Sequence, residues 1–509
     1  MGKFVSLHHH STFSYMDGYG TPEQHVGRAA EMGMPAMALT EHGNVSSHVR
    51  LEKAGLKAGV KPIFGVELYT GGVEDDTKSK FKWHLTVLAE TQKGYQNLLR
   101  IVSRGWAEGF YYEPTVSGEM LMEHNEGLIV TSGCSGSKLV CDLLGGKGVD
   151  PHDADVKAAI ATAKKFQAVF GDRYYLEAQT FPELERTRQT NDALLHISAK
   201  TGIPIVATGD VHYPHESDNE MQALLHAAGR GGKNGNTVEK QMQSWGYDVH
   251  LTPRSDKEII QRLVASGMSR TQAKAALMAS AEIGARCNVT LPKAERVRYP
   301  LAQEPGWEPG TSAEAMLRKW LNEGWNYRGI NKMDPSERER YKERVKHELA
   351  LIVDKDFVDY FLMVSDVVRH CKDNQIPVGP ARGSAAASLV CYLLRITEVD
   401  PMKFQYMLFE RFIDPNRHDL PDIDLDFDDE LRDECRLHLI RRYGEEKVGN
   451  IGTFTKYKGK NSIDDVARVY NIPKYEIDTI KTFLVERSGG DSRADASLMD
   501  TIELFPAVK

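Results

Sequence analysis

Short apolar runs alternate with helix-period segments through the first 213 residues. The runs fall at 4–7, 36–39, 62–66, 84–89, 128–131, 174–178 and 204–208. Each is rich in Val, Ile, Leu or aromatic residues, as buried strands are. Between them the period lengthens. Thr21-Pro22-Glu23 opens a helix with a capping hydroxyl and a proline at the first helical position. Residues 156–170 and 184–200 are further amphipathic helix candidates. Seven strand–helix units in series predict an α/β fold with a parallel sheet, open or closed as a barrel. Residues 229–236 (GRGGKNGN) read as a flexible insert. Residues 291–310 carry Pro292, Pro300, Pro305 and Pro309, and the main domain boundary is expected there. From 313 to 398 the pattern is mostly helical, and from 399 to 455 it is mixed, with a helix at 431–443. The tail from Pro473 is helical again, broken at 488–491.

Composition narrows the class. A chain of 509 residues is too long for one core, and the length suggests roughly three domains. Apolar residues at 41% and charged residues at 27% exclude a mostly disordered chain. No stretch approaches the roughly 18 apolar residues of a membrane span. The start, MGKFVSLHHHSTFS, lacks the apolar core of a signal peptide. Cys134, Cys141, Cys287, Cys371, Cys391 and Cys435 form no CxxC pair, which argues against a zinc ribbon or a disulfide framework. A cytoplasmic location is expected. The net charge of −8 makes any nucleic-acid contact a matter of local basic patches.

Metal-competent residues gather where strands end. His8 and His10 close the first run and Asp17 lies in the turn after it. His42, Glu67 and Cys134 follow the second, third and fifth runs, and Asp210 and His212 follow the last. His84 opens a run instead of closing one and fits the pattern less well. A lone histidine of this kind is more often an ordinary loop residue. Recurrence at five strand ends is not explained that way. The mixture of imidazole, carboxylate and thiolate suits zinc, manganese or iron better than calcium or magnesium.

The stretches LHHHSTFSYMDG, ALTEHGN, GVELYT, WHL, TSGCSGS and ATGDVHYP occur in this order. They resemble the polymerase and histidinol phosphatase (PHP) domain at the start of bacterial C-family replicative polymerases, the DNA polymerase III alpha type. The resemblance covers residues 1 to about 285. It implies a distorted (β/α)7 TIM-like barrel holding two or three divalent transition metals (Zn, Mn or Fe). The implied ligands are His8, His10, Asp17, His42, Glu67, His84, Cys134, Asp210 and His212. Glu41 stands where that family usually has aspartate. The implied chemistry is phosphodiester hydrolysis, here a 3′→5′ proofreading exonuclease. Arg104 or Lys138 could bind the strand, but the sequence singles out neither.

A second constellation follows the boundary. Asp422, Asp424 and Asp426 alternate with Ile423, Leu425 and Phe427. On a strand the three carboxylates would share one face, about 6.5 Å apart. A solvated edge strand is the alternative to a metal-binding one. Upstream, Arg382-Gly383-Ser384 opens an alanine-rich run, and a helix N-terminus there would suit a phosphate. IPVGPARGSAAASLVCYLLRITEVDP, FERFIDPNR and LPDIDLDF resemble the palm of the same polymerase family. The resemblance implies Gly383 and Ser384 at an incoming deoxynucleoside triphosphate, with Asp422 and Asp424 as catalytic carboxylates for Mg. Ala381 and Ala387 stand where the family more often has glycine. The basic stretch 452–460, with Lys458 and Lys460, resembles a segment touching nucleotide phosphates and template. A solvated lysine loop explains it equally well.

The expected organisation is therefore a PHP domain at 1–285, a linker at 286–312, a mixed α/β nucleotidyltransferase-like palm segment at 313–452 and the start of a helical thumb at 453–509. The resemblance also implies a third palm aspartate, which nothing in this sequence supplies. Polymerisation is expected to need a companion chain, on a DNA primer–template. Two other readings stay open: a free-standing phosphoesterase for small phosphate esters, and an inactive fragment that binds a partner chain.

Overall fold

The structure is a computed structural model describing residues 3–71, 81–150, 152–229, 249–305, 307–416, 419–453, 459–488 and 494–505. The chain forms two compact units, Met1–Pro292 with Lys456–Lys509, and Lys293–Thr455.

The first unit is built on one sheet. Its strands are β1 (Ala36–Leu39), β2 (Lys61–Thr70), β3 (Trp83–Ala89), β4 (Phe110–Tyr111), β5 (Glu113–Val116), β6 (Leu128–Thr131), β7 (Tyr174–Gln179) and β8 (Ile205–Thr208). They lie in the order β4-β5-β2-β3-β6-β7-β8, with β1 paired to β2. β1 and β6 are buried along their whole length, which is why they read as unbroken apolar runs. Helices α1 (Pro22–Glu31), α2 (His48–Ala58), α3 (Gln92–Ala107), α4 (Gly118–Glu123), α5 (Lys138–Leu144), α6 (Val156–Phe170), α7 (Glu185–Thr201) and α8 (Asn219–Gly229) follow in turn. α9 (Asp256–Ala265) and α10 (Arg270–Arg286) complete the set. α1 starts as its sequence requires: the Thr21 hydroxyl accepts from the Gln24 N–H, and Gln24 answers in a capping box.

Three strand expectations change. The run at 4–7 is not a ladder strand; among the described residues this segment meets its neighbours in isolated bridges, Ser6 with Met37 and His9 with Val211. Those bridges lie on either side of it, so the sheet curls back toward its other edge. The hairpin of β4 and β5 has no counterpart among the expected strands. The sheet is also not all parallel: β3 is antiparallel to both β2 and β6. Antiparallel neighbours need no crossover helix, and no described helix separates β2 from β3. The reversal explains His84. An antiparallel strand begins where its neighbours end, and His84 pairs with Tyr69 near the close of β2. The glycine-rich segment 230–236 lies outside the described residues.

In the second unit, α11 (Ala313–Tyr327), α12 (Pro335–Asp354) and α13 (Val358–Asp373) pack around Leu317, Trp320, Phe361, Leu389 and Phe409. Each such side chain stabilises by about 1.5–3 kcal/mol when fully buried. The expected continuous helix after Gly383 is instead a 3-10 turn, Gly383–Ala387, followed by the short α14 (Leu389–Leu393). The break has a cause in Glu348. Its buried carboxylate accepts from the Ser388 hydroxyl at 2.8 Å and from the N–H groups of Leu389 and Val390 at 3.0 and 2.9 Å. That fixes a new helix start at Ser388. Further along, α15 (Arg432–Tyr443) forms as expected.

Residues of the tail return to the first unit. α16 (Gly459–Val469) packs on α8, and α17 (Lys474–Thr482) follows it. The tail is not helical throughout as expected: strands β9 (Val485–Ser488) and β10 (Ala494–Ser497) pair antiparallel before α18 (Leu498–Leu504).

Candidate metal centre

At the end of the first sheet where the parallel strands close, nine expected side chains come together. Glu67, near the end of β2, is the hub. Its Oε1 lies 3.3 Å from His8 Nε2, 3.1 Å from His84 Nδ1 and 3.3 Å from Cys134 Sγ. Its Oε2 lies 2.8 Å from His42 Nδ1 and 3.6 Å from His10 Nε2. Asp210 Oδ1 stands 3.4 Å from His8 Nε2 and 3.6 Å from His10 Nε2. Asp17 Oδ2 meets His42 Nε2 at 2.7 Å and His212 Nε2 at 3.1 Å. Three overlapping groups have donor atoms close enough to hold one ion each: His10/His42/His212, His8/His10/Asp210 and His42/Glu67/His84.

Neighbouring groups orient these donors. Glu177, on β7, sits 2.6 Å from His8 Nδ1 and accepts from the Thr131 and Thr208 hydroxyls. An Nδ1–H donated to Glu177 leaves the Nε2 lone pair of His8 for the centre. His10 Nδ1 is 2.9 Å from the Ser14 hydroxyl, which donates at 2.6 Å to Glu41. Glu41 therefore anchors the His10 ring through Ser14. Gln179 donates to Asp210 Oδ2 at 2.8 Å. His226, on α8, reaches the other oxygen of Asp17.

The charges interlock. Burial would lower His8, but Asp210, Glu177 and Glu67 hold it well above its ordinary value. Against the same burial, Glu67 and Asp17 raise His42 to about 10, and Asp17 and Asp210 raise His212 to about 9. His10 goes the other way, lowered by burial and by His42 and His212. Burial, Glu67 and Asp210 push the Cys134 thiol up. Despite burial, the histidines hold Asp17 and Glu67 well below the carboxylate range. Protons on the histidines thus supply positive charge that a cation would replace on binding.

The donor set fits such a cation. His8 Nε2, His10 Nε2, His42 Nδ1 and Glu67 Oε2 are buried and face one another at ion-pair distance, with no aligned hydrogen bond among the described residues. Four together, aimed into one space, are the arrangement a metal satisfies. Nitrogen, carboxylate and thiol donors match Zn, Mn or Fe.

The sequence reading missed Glu177, the Ser14–Glu41 pair and His226. Glu177 left a trace, a carboxylate inside the buried run YYLEAQ. His226 left none, because it lies on a helix and not at a strand end.

In the second unit the geometry is looser. Residues 421–426 form no strand; the segment is tied at one end by the bridge of Val378 with Phe427 and by the Gly379 N–H on the Asp426 carbonyl at 2.8 Å. Pro421 offers no N–H to extend a ladder. The expected common face of Asp422, Asp424 and Asp426 is therefore not imposed by a sheet. Arg382 donates to Asp426 at 3.0 Å. Gly383, with φ of +63°, lies so close to Asp424 that a Cβ there would fall 2.8 Å from its Oδ2. The backbone conformation requires the glycine, and a Cβ there would also push the Asp424 carboxylate aside. Ser384 and Asp422 are exposed. Lys460 sits on α16, and Lys458 lies outside the described residues.

Residues 6–181 match the PHP domain, and residues 315–504 match the bacterial DNA polymerase III alpha NTPase domain. Asp210, His212 and His226 lie beyond the first match. The chain is 35% identical over 480 residues to the DNA polymerase III subunit alpha of Treponema pallidum, covering 93% of this chain and 38% of that protein. It is 35% identical over 497 residues to the corresponding subunit of Escherichia coli, covering 95% and 40%. The chain thus spans about two fifths of the length of these relatives.

Proposed function

We propose that the chain, which matches the PHP domain over residues 6–181 and the bacterial DNA polymerase III alpha NTPase domain over residues 315–504, works as the N-terminal part of such a polymerase. The first centre is read as a 3′→5′ exonuclease acting on DNA ends. The observation that carries this reading is the cluster of buried atoms of His8, His10, His42 and Glu67 that converge at ion-pair distance without an aligned hydrogen bond. His8, His10, Asp17, His42, Glu67, His84, Cys134, Asp210 and His212 would hold two or three divalent transition metals. Bound there, such ions supply Lewis acidity for phosphodiester hydrolysis. Glu177 keeps His8 facing the centre, and Ser14 with Glu41 does the same for His10. The curled sheet with helices between its strands supports a distorted (β/α)7 TIM-like barrel for residues 1–285.

The second centre is read as part of a nucleotidyl-transfer site on primer–template DNA. Asp422 and Asp424 would take Mg, while Arg382, Gly383 and Ser384 receive the triphosphate. Lys458 and Lys460 would meet phosphates or template. In this reading 286–312 is a linker, 313–452 the first palm segment and 453–509 the start of the thumb. A further carboxylate would come from the other three fifths of the family's length, on the same polypeptide or a companion chain. No described helix is long and apolar enough to cross a membrane, in keeping with work in the cytoplasm.

The test is degradation of 3′-labelled DNA by the purified chain with manganese or zinc, beside a small phosphate monoester. The expected outcome is loss of label from DNA, abolished by His10→Ala. Equal activity in a highly purified His10→Ala sample would overturn the assignment. Activity on the monoester alone would turn the reading to a small-ester phosphoesterase.

A further inference from the structure

Asp17 is held from two directions. Its Oδ2 faces His42 and His212, two members of a metal-competent group with His10. Its Oδ1 is bonded to His226 Nε2, and its backbone carbonyl accepts from Gln222 at 3.2 Å. Gln222 and His226 are four residues apart on α8, so they share a face of that helix. At its last residue the same helix closes on Met16, beside Asp17: a Cβ on Gly229 would fall 2.8 Å from the Met16 Cβ. Met16 itself has φ of +59°, a conformation a long side chain adopts only where its surroundings impose it.

Another face of α8 is covered by the tail. Ala223 and Ala227 pack with Val469 at the end of α16, all three fully buried. The Tyr470 hydroxyl donates to Glu220 at 2.8 Å. Arg468 donates at 3.3 Å to the Ala228 carbonyl, placing a cation at the helix C-terminus where the dipole favours it. α8 is therefore gripped by the Asp17 loop through one set of side chains and by α16 through another.

We propose that His226 is a positioning residue of the metal centre, holding Oδ1 of Asp17 so that Oδ2 stays with His42 and His212, and that α16 sets this grip by seating α8. The inference rests on the metal-binding reading of the centre. It makes ion affinity in the PHP domain depend on the segment after residue 456, which the family model assigns to the NTPase domain. Docking of that segment and loading of the centre then favour one another.

The experiment uses the full chain, stripped with a chelator and titrated with cobalt(II), reading visible absorption and stoichiometry. Wild type is expected to take up at least two equivalents. His226→Ala should bind the same number, the most weakly held about 10–100-fold more weakly, as is usual when the partner of a ligand is lost. His226→Gln, whose amide can still donate to Asp17, should recover most of the difference. Val469→Asp, which unseats α16 without touching the centre, should weaken binding in the same direction by a smaller factor. Circular dichroism of each variant verifies folding. Unchanged affinity in folded His226→Ala would overturn the inference and leave the metal reading standing. Loss of one whole equivalent would make His226 a ligand and overturn the positioning role. No cobalt uptake by wild type would overturn both readings.

Discussion

The two candidate centres both rely on carboxylates and are held very differently. In the first, donors come from separate segments of the sheet, and several have a second partner that fixes their direction. Glu177 orients His8, Ser14 and Glu41 orient His10, and Gln179 orients Asp210. In the second, three aspartates follow one another along a segment tied to its neighbour at one end. The Arg382–Asp426 pair there is more than half exposed on both sides, whereas Glu67 is 1% exposed. Buried carboxylates and imidazoles must satisfy one another or a cation, so their geometry is determined before any substrate arrives. Exposed carboxylates satisfy themselves with water and leave their arrangement to whatever binds later. The contrast separates a centre assembled by the fold from one awaiting further residues or ligand.

The largest expected effect tests that contrast at the hub. Glu67→Ala should destabilise the metal-free chain by about 3–5 kcal/mol, because it leaves several buried histidines without their shared counter-charge. Urea denaturation with a chelator present is the measurement. A loss below about 1 kcal/mol would mean the first centre is no more tightly held than the second.

Next comes pH. His42 sits at about 10 and His212 at about 9 in the metal-free protein, against an ordinary value of about 6.5. A raised folded value means a stabilising contribution that is complete below about 6.5 and is lost as the pH climbs through the folded value. The metal-free chain should therefore lose urea resistance between about pH 6.5 and 10. With metal bound the loss should shrink, since the cation has already displaced those protons. Identical profiles with and without metal would contradict the replacement of protons by a cation.

A smaller effect is expected at Gly383. Alanine there meets a left-handed backbone and the Asp424 carboxylate together. Gly383→Ala should cost about 1–2 kcal/mol from the backbone alone. It should also displace Asp424 and reduce primer extension in any assembly that restores synthesis. Retained stability together with full extension would show that the loop is freer than its contacts imply. The smallest effect belongs to Arg382→Ala. Its surface ion pair should leave the urea midpoint unmoved, since such pairs contribute little in water. A clear drop would make the second centre more ordered than this comparison holds.

Much of the first unit could be read directly from the chain. Six of the seven apolar runs became strands, because strands buried on both faces write themselves as continuous apolar sequence. The capped helix start at Thr21-Pro22 and the helix Val156–Phe170 were equally legible, since caps and helical periodicity are local. The nine metal-competent residues were visible because each lies just beyond an apolar run, in the turn after one, or opens one. The second unit was less legible. The alternation from Asp422 to Phe427 looked like a strand, but alternation is necessary for a half-buried strand and not sufficient; a partner must run alongside, and here one bridge is all it finds.

The sequence by itself determined most of the strands and helices of the first unit and which side chains are available for metal, because apolar periodicity, caps and residue chemistry act within a few residues of the chain. Only the tertiary structure decided that β3 runs antiparallel, which turns His84 from a misfit into a neighbour of Glu67. It alone brought Glu177 under His8, across 169 positions, and His226 onto Asp17, across 209. Pairing direction and contacts of that kind depend on where distant segments pack. That is a property of the whole core, and no local pattern records it.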